Sequence, residues 1–421
     1  MVPVSNLLLD GYVSLLFGKF VTADLLQGYR EVRMVLCTAD QILNFTIWES
    51  DLDLVFSPDQ EEFRATVRRF LSEKSPMNDV RRSMETDEGF DQAVWSQMVS
   101  QLGITAVPIP ERFGGFGLGQ VEAGIIFEEL GRSLACLPYM STVGMGVNIL
   151  LASGDEEVCK MLLPGVVDGV TRLGVCVWEP GHSWDIQGIT TTASQDVRVT
   201  GCKTYVMDGL TATQLLVLAN DSDGRESLYL IDADSPKLRK TSLSTFDLTR
   251  KFAEISFDST PARLVGKRGE GAKYYFQMLN RALISMASEQ VGSAQAVLDM
   301  AVKYSLSRTQ FGRPIGSFQA IKHKCADMLV EIESARSASY YASWAADNDE
   351  SSLEMAACIA KSYCSAALSH AVEENIQIHG GLGFTWEHDA HLYLKRAKSS
   401  EQMFGTPAEF RDRLAGRLGI K

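Results

Sequence analysis

Residues 308 to 319, Arg308-Thr309-Gln310-Phe311-Gly312-Arg313-Pro314-Ile315-Gly316-Ser317-Phe318-Gln319, decide the architecture, because they end one long helix and begin another. Upstream, Val297, Met300, Ala301 and Tyr304 recur at the i, i+3, i+4, i+7 spacing of an amphipathic helix; downstream, Ile321, Cys325, Met328, Leu329 and Ile332 resume it. Between them Gly312, Pro314 and Gly316 lower helix propensity and force a turn, gathering Arg308, Phe311 and Gln319 at one helix-helix connection. A guanidinium donates a planar pair of hydrogen bonds and stays charged, so Arg308 is suited to a diphosphate. Phe311 and Gln319 are suited to packing on and hydrogen-bonding a heteroaromatic ring. The same spacing also fits an ordinary helical hairpin with a surface arginine, and taken alone it favours the hairpin.

The rest of the chain bounds the choice. With 421 residues it holds two or three domains, and 45% hydrophobic with 22% charged residues is ordinary globular composition. Lys+Arg 40 against Asp+Glu 53 gives a net charge of -13, which disfavours nucleic acid or an anionic membrane as partner. The eight cysteines, at 37, 136, 159, 176, 202, 325, 358 and 364, form no CxxC and no ligand-spaced set, so a reducing cytoplasm is expected. Apolar runs at Leu7-Leu8-Leu9 and Leu15-Leu16-Phe17 are broken by Asp10, Lys19 and Asp24, too short to span a membrane. No signal or transit pattern precedes them.

Four segments are expected. Residues 1–52 read as an extension. Ser57 followed by Pro58, Asp59 and Glu61 starts a helix, opening a helical domain over 53–168; one of its helices carries Val121, Ile125, Phe127 and Leu130 and ends at Gly131. Over 169–266 the period changes to strands, at 173–177, 189–192, 197–199, 215–218, 228–231 and 253–257, separated by Asn220-Asp221-Ser222-Asp223-Gly224 and similar turns. That predicts an antiparallel β domain. Over 267–421 long helical segments return, predicting a four-helix bundle. The fold class is therefore α+β and multidomain, and no GxGxxG joins a strand to a helix.

Three further segments join the opening one. Cys176-Val177-Trp178-Glu179-Pro180-Gly181-His182-Ser183-Trp184-Asp185 ends a strand with two indoles suited to lining a flat ring. A second strand, from Gly201 through Lys203 to Gly209, offers Tyr205 and Met207 on one face. Gln377-Ile378-His379-Gly380-Gly381-Leu382-Gly383-Phe384 breaks the bundle with glycines that let backbone approach a phosphate. With the Pro110-Glu111 to Gly114-Gly115 turn, these ordered motifs resemble the acyl-CoA dehydrogenase family over about residues 54 to 415. The resemblance implies FAD held between subunits of a dimer or tetramer. Val177, Trp178, Trp184, Tyr205, Met207 and Thr406 would meet the flavin, and Arg308, Phe311, Ile315, Gln319, Gln377 and Gly381 would grip FAD from the neighbouring subunit. The run 381–396 is similar to actinobacterial dehydrogenases of steroid or branched acyl-CoA degradation, in which paired unlike subunits occur.

The chain departs from the family where the chemistry is done. The family's reaction needs a carboxylate that removes the α-proton of an acyl-CoA thioester while hydride leaves the β-carbon for the flavin. At the usual glutamate this chain has Phe404, before Gly405-Thr406, and the alternative site aligns with Ala282. Only the backbone N–H of Phe404 keeps a role, holding the thioester carbonyl. Trp178 and Met207 stand where hydroxyl residues commonly bond the flavin. Glu289, seven residues and about 10 Å beyond Ala282, is the nearest substitute base. Glu387, His388 and His391 read as a solvated helix face rather than a metal trio. The expected reading is an acyl-CoA dehydrogenase subunit that passes electrons to an electron-transfer flavoprotein, with an unconventional base or an unlike partner that supplies the glutamate. The alternatives are a non-catalytic, cofactor-binding half of a heteromer and a flavin monooxygenase on the same scaffold.

Overall fold

The structure, a computed structural model, describes residues 31–37, 42–48, 56–181, 184 and 186–419. Two units divide the chain, one ending at Phe56 and one running from Ser57 to Lys421. In the first, β1 (Glu31–Cys37) pairs antiparallel with β2 (Ile42–Trp48), Glu31 opposite Trp48. The rest of the expected 1–52 extension lies outside the described residues, as do His182, Ser183 and Asp185 of the strand-end motif.

The second unit starts where Ser57 predicts. Its hydroxyl accepts from Gln60 N at 3.2 Å while the Gln60 side chain accepts from Ser57 N at 2.9 Å, a reciprocal cap on α1 (Pro58–Lys74). Helices α2 (Met77–Ser83), α3 (Gln92–Leu102) and α4 (Gln120–Ser133) follow, with the Pro110 to Gly115 turn between the last two. Residues Met140–Val147 form a π-helical stretch that runs into α5 (Asn148–Ser153), and α6 (Glu156–Val167) completes the domain. Helix α4 passes two residues beyond the expected end at Gly131. That glycine serves close approach: a Cβ there would lie 2.0 Å from the backbone oxygen of Glu289.

The middle domain is an eight-stranded sheet of β3 (Leu173–Cys176), β4 (Thr192–Ala193), β5 (Arg198–Met207), β6 (Gln214–Asn220), β7 (Glu226–Asp232), β8 (Leu238–Leu243), β9 (Phe252–Pro261) and β10 (Arg263–Val265). Most pairings are antiparallel as expected, but β3 and β4 both run parallel to β6. The expected strand at 189–192 shrinks to Thr192–Ala193, because the N–H groups of Thr190 and Thr191 are spent on the Glu179 carboxylate at 2.8 and 2.9 Å. The two strand readings at 197–199 and 201–209 merge into β5, which bulges against β9 near Gly201 and between Lys203 and Val206. Strand β8, Leu-Arg-Lys-Thr-Ser-Leu, was not expected: it is polar and open to solvent along much of its length.

The C-terminal domain holds α7 (Gly271–Ser307), a short hairpin of β11 (Thr309–Gln310) and β12 (Arg313–Pro314), α8 (Gln319–Asn348), α9 (Leu353–His379), α10 (Ala390–Gln402) and α11 (Pro407–Arg417). Helices α7 to α10 make the bundle, and α11 packs on α9. Helix α7 has 37 residues, so it is about 55 Å long, and its two ends reach different surroundings. It is locked to the N-terminal domain at its crossing with α4, where a Cβ on Gly292 would come 1.8 Å from the Glu128 backbone oxygen. Asp347 at the end of α8 adds a tie, accepting from Gln120 N at 2.8 Å and Val121 N at 3.1 Å at the start of α4. Among the described residues, no helix is long and apolar enough to cross a membrane.

Candidate functional site

The opening stretch folds as a miniature hairpin rather than a bare turn. Thr309 pairs with Pro314 and Gln310 with Arg313, which leaves Phe311 and Gly312 as the two-residue loop. Both have positive φ, +53° and +77°, the pattern of a type I′ turn. Glycine takes that conformation freely, whereas a phenylalanine is strained in it. The Phe311 ring is nevertheless 91% exposed. Arg308 ends α7, its N–H bonded to Tyr304 O at 2.8 Å, and its guanidinium makes no ion pair among the described residues. Ile315 packs against the nearby bundle core, Gln319 opens α8 on the surface, and Gln377 and Gly381 are exposed at the break after α9. Gly380 has φ +61°, and a Cβ on it or on Gly381 would meet no atom within 4 Å, so this backbone is open to a ligand.

At the other end of α7 lies an aromatic box. Trp178, just past β3, has its ring 4.7 Å from Trp184, 5.6 Å from Phe404 and 6.3 Å from Tyr275 near the start of α7. Trp184 also meets Phe404 at 5.8 Å and Tyr205 at 5.6 Å. Trp178 and Phe404 are each 2% exposed, while Tyr205 is 45% exposed at the rim. Tyr205 sits at the bulge with φ +51°, and Met207 joins the core of Trp178 and Phe404 while Val206 faces the opposite core of the sheet. Of the six positions expected along the flavin, Trp178, Trp184, Tyr205 and Met207 come together here, but as a filled cluster rather than an open wall. The side chains at 178 and 404 pack on each other at its centre, 5.6 Å apart.

Behind the box a buried ion pair fixes the strand end. Lys203, fully buried, donates to Val177 O and to Glu179, each at 2.8 Å. Burial pushes the Glu179 carboxyl up, but Lys203, Thr190 and Thr191 outweigh it and bring the pKa down to about 2. Val177 O is therefore already taken. On the opposite wall, the buried amine of Lys361 in α9 donates to Ser400 O and to Glu401 O at 3.4 Å, tying down the end of α10 just before Phe404. Burial and nearby Arg250 pull Lys361 down to about 7. The following backbone is left-handed, with φ +66° at Phe404 and +119° at Gly405. Thr406 spends its hydroxyl capping α11, accepting from Glu409 N at 3.3 Å.

Glu289 is placed elsewhere. It lies 14 residues along α7 from Tyr275, about 20 Å in helix rise. Its carboxylate is buried between Arg250 and Arg396, and Arg396 continues to Asp247 at 2.9 Å. Burial alone would raise its pKa; the two guanidinium groups reverse this and hold it below the usual carboxylate range. Sequence reading missed both arginines, which stand 39 and 107 residues away. It also missed Asp208 beside Met207, which burial pushes up to about 6 although Ser141 of the π-helical stretch donates to it at 2.6 Å.

Family models described as the N-terminal and C-terminal domains of acyl-CoA dehydrogenase match residues 57–170 and 269–419. Acyl-CoA dehydrogenase IpdE2 of Mycolicibacterium smegmatis is 33% identical over 364 residues, covering 86% of this chain and 99% of that protein. A variant of the steroid ACAD Tcur3481–Tcur3483 matches with a TM-score of 0.77 at 30% identity, over 86% of this chain and 98% of its own. Butyryl-CoA dehydrogenase from Megasphaera elsdenii matches at 0.81 and 26% identity, over 87% and 100%. These full-length matches bridge the middle β domain that neither family model covers. The chain belongs to the acyl-CoA dehydrogenase family of oxidoreductases.

Proposed function

We propose that this chain is one subunit of a FAD-dependent dehydrogenase that forms an α,β-unsaturated acyl-CoA thioester, and that an unlike subunit carries the proton-accepting glutamate. One observation carries the reading: at the two positions that the resemblance aligns with the family's base, the side chains are the buried and apolar Phe404 and Ala282. Glu289 does not replace them, because two arginines hold it ionised about 20 Å along the helix from Tyr275. A carboxylate so paired is a poor proton acceptor.

The clamp end fits FAD, with a guanidinium that makes no ion pair among the described residues, an exposed strained ring and accessible glycine backbone. When bound, FAD supplies the hydride acceptor. Arg308 would pair with the diphosphate, Phe311 and Ile315 would cover it, and Gln319, Gln377 and Gly381 would complete the grip. Clamp and box are separated by about 50 Å of α7 within one chain, so the clamp serves a flavin seated on a neighbouring subunit. The resting box does not fit the isoalloxazine, since Trp178 and Phe404 fill it. The double name of the Tcur3481–Tcur3483 structure supports pairing of unlike chains, and its steroid designation makes a ring-bearing acyl-CoA the first substrate class to assay. Electron-transfer flavoprotein is the acceptor class that the family implies.

Purification with a co-encoded second dehydrogenase chain tests this. The expected result is one FAD per pair of unlike chains and loss of turnover when the partner's glutamate is changed to glutamine. Two FAD per pair, or turnover that survives that change, contradicts it.

A further inference from the structure

The clamp end draws on two stretches of chain, one around Arg308 and one around Gln377 and Gly381, and stacked rings join them. Tyr304, one turn before Arg308 on α7, has its ring centroid 4.2 Å from that of His379, with the planes 24° apart. The Tyr304 carbonyl accepts the Arg308 N–H at 2.8 Å, and His379 ends α9 midway between Gln377 and Gly381. His388, in the loop before α10, also meets the His379 ring, at 4.4 Å. One buried imidazole therefore touches both halves of the clamp.

The surroundings of that imidazole favour its neutral form. His379 is 5% exposed, and its Nδ1–H donates to Asn375 O at 2.8 Å, which leaves the lone pair on Nε2 with no hydrogen bond among the described residues. Burial pulls His379 below the usual histidine range; the bond to Asn375 O opposes this and His388 adds to it. His388 Nδ1 accepts from Ala390 N at 3.2 Å, a bond that lasts only while that nitrogen carries no proton. Among the described residues no carboxylate pairs with either ring. The charged and titratable groups facing the cluster are Arg81 of α2, which bonds His388 O at 3.2 Å and pairs with Asp389 at 2.7 Å, and Lys395 and His391 of α10, both against Trp386. Asp389 is taken by Arg81, so an imidazolium here would face cations.

Resting on the reading that this end grips the FAD of a neighbouring subunit, we propose that His379 is a proton-sensitive positioning residue of the clamp. Neutral, it holds the two halves in register through Tyr304; protonated, it parts them and loosens the grip on FAD. A charge on Nε2 is enclosed by a tyrosine face and a second imidazole, which drives the ring toward water. Gly380, at φ +61° directly after it, ends the helix there, so the ring can leave without unwinding α9. FAD binding then favours the neutral ring: the grip is complete above 6.5, the ordinary histidine value, and is lost as pH falls below it.

The test is the dissociation constant of FAD from the complex of unlike chains, measured at pH 7.5 and pH 5. Wild type should weaken about tenfold between them, the change that one proton can drive. His379→Phe keeps a ring for Tyr304 and takes no proton, so it should match wild type at pH 7.5 and lose nothing at pH 5, whereas His379→Ala should be weak at both. Asp208, pushed up to about 6, and His391 change charge in the same range, so the contrast between His379→Phe and wild type decides. An unchanged wild-type constant, or a wild-type slope in His379→Phe, overturns the proposal. If His379→Phe fails to fold, calorimetry of wild type at pH 5 in two buffers of different ionisation enthalpy replaces it: about one proton should be released per FAD bound, and none overturns the proposal. Arg308→Ala separates this from the reading beneath it. FAD held equally with and without Arg308 at both pH values overturns the clamp and the proposal together; weakening by Arg308→Ala, with no pH dependence in wild type, overturns the role of His379 alone.

Discussion

At one end of α7 the turn from Arg308 to Gln319 lies open, with Phe311 91% exposed and Arg308 in no ion pair among the described residues; at the other, Trp178 and Phe404 close over each other at 2% exposure. The open end is strained yet keeps its bulky residue outside, a combination with no packing benefit to this chain by itself. The closed end packs two buried rings together, and among the described residues the Trp178 indole N–H has no acceptor. On the proposed reading, one family scaffold keeps the side chains that grip a neighbour's cofactor while the place for proton abstraction is filled in. Gripping and reacting are separable because about 50 Å of rigid helix lies between them.

Putting a carboxylate back into the closed end should have the largest effect. Phe404→Glu buries an unpaired charge and should lower stability by about 4 kcal/mol at pH 7. Its folded pKa lies above the unfolded value, so the melting gap from wild type should be widest at pH 8 and close toward pH 4. A variant as stable as wild type at pH 8 would mean that the box is open and solvated, erasing the contrast. Next comes the frame behind the box. Glu179 falls from 4.5 to about 2 on folding, so it adds about 3 kcal/mol that is fully present above pH 4.5 and is lost as pH falls toward 2. The stability difference between wild type and Glu179→Gln, followed by denaturant titration, should shrink across that window.

The open end should respond in binding rather than in folding. Arg308→Ala should weaken FAD retention by the complex of unlike chains about 10- to 100-fold, the worth of a charge-assisted hydrogen bond, with little change in melting of the chain alone. A large loss of stability instead would make Arg308 a structural residue. The smallest effect should come from Phe311→Gly, which relieves the left-handed strain and moves stability by no more than about 1 kcal/mol while FAD retention drops.

Much of this contrast was legible in the sequence, unevenly. The start of α1 at Ser57-Pro58, the long bundle helices and the strand runs of the sheet could be read because each depends on neighbours in the chain. The hairpin around Phe311 could not, since a phenylalanine is a poor indicator of positive φ, and β8 gave no apolar alternation. The parallel entry of β3 beside β6 depends on pairing across about 40 residues, and the shortened β4 depends on a carboxylate 11 residues upstream. At the site, the motifs gave the clamp residues and the missing glutamate as expectations, and the structure places Arg308, Phe311 and Gln319 at one helix connection. That Trp178, Tyr275 and Phe404 fill one space, and that Glu289 is caught between Arg250 and Arg396, arises only when the middle and C-terminal domains meet.

Anaerobic flavin bleaching distinguishes a chain that grips FAD for a partner from one that abstracts the α-proton itself. The chain alone, saturated with FAD, and the chain combined with its co-encoded unlike partner should each be mixed with the same saturated ring-bearing acyl-CoA. Rapid bleaching is expected only in the combination. Rapid bleaching by the chain alone would contradict it.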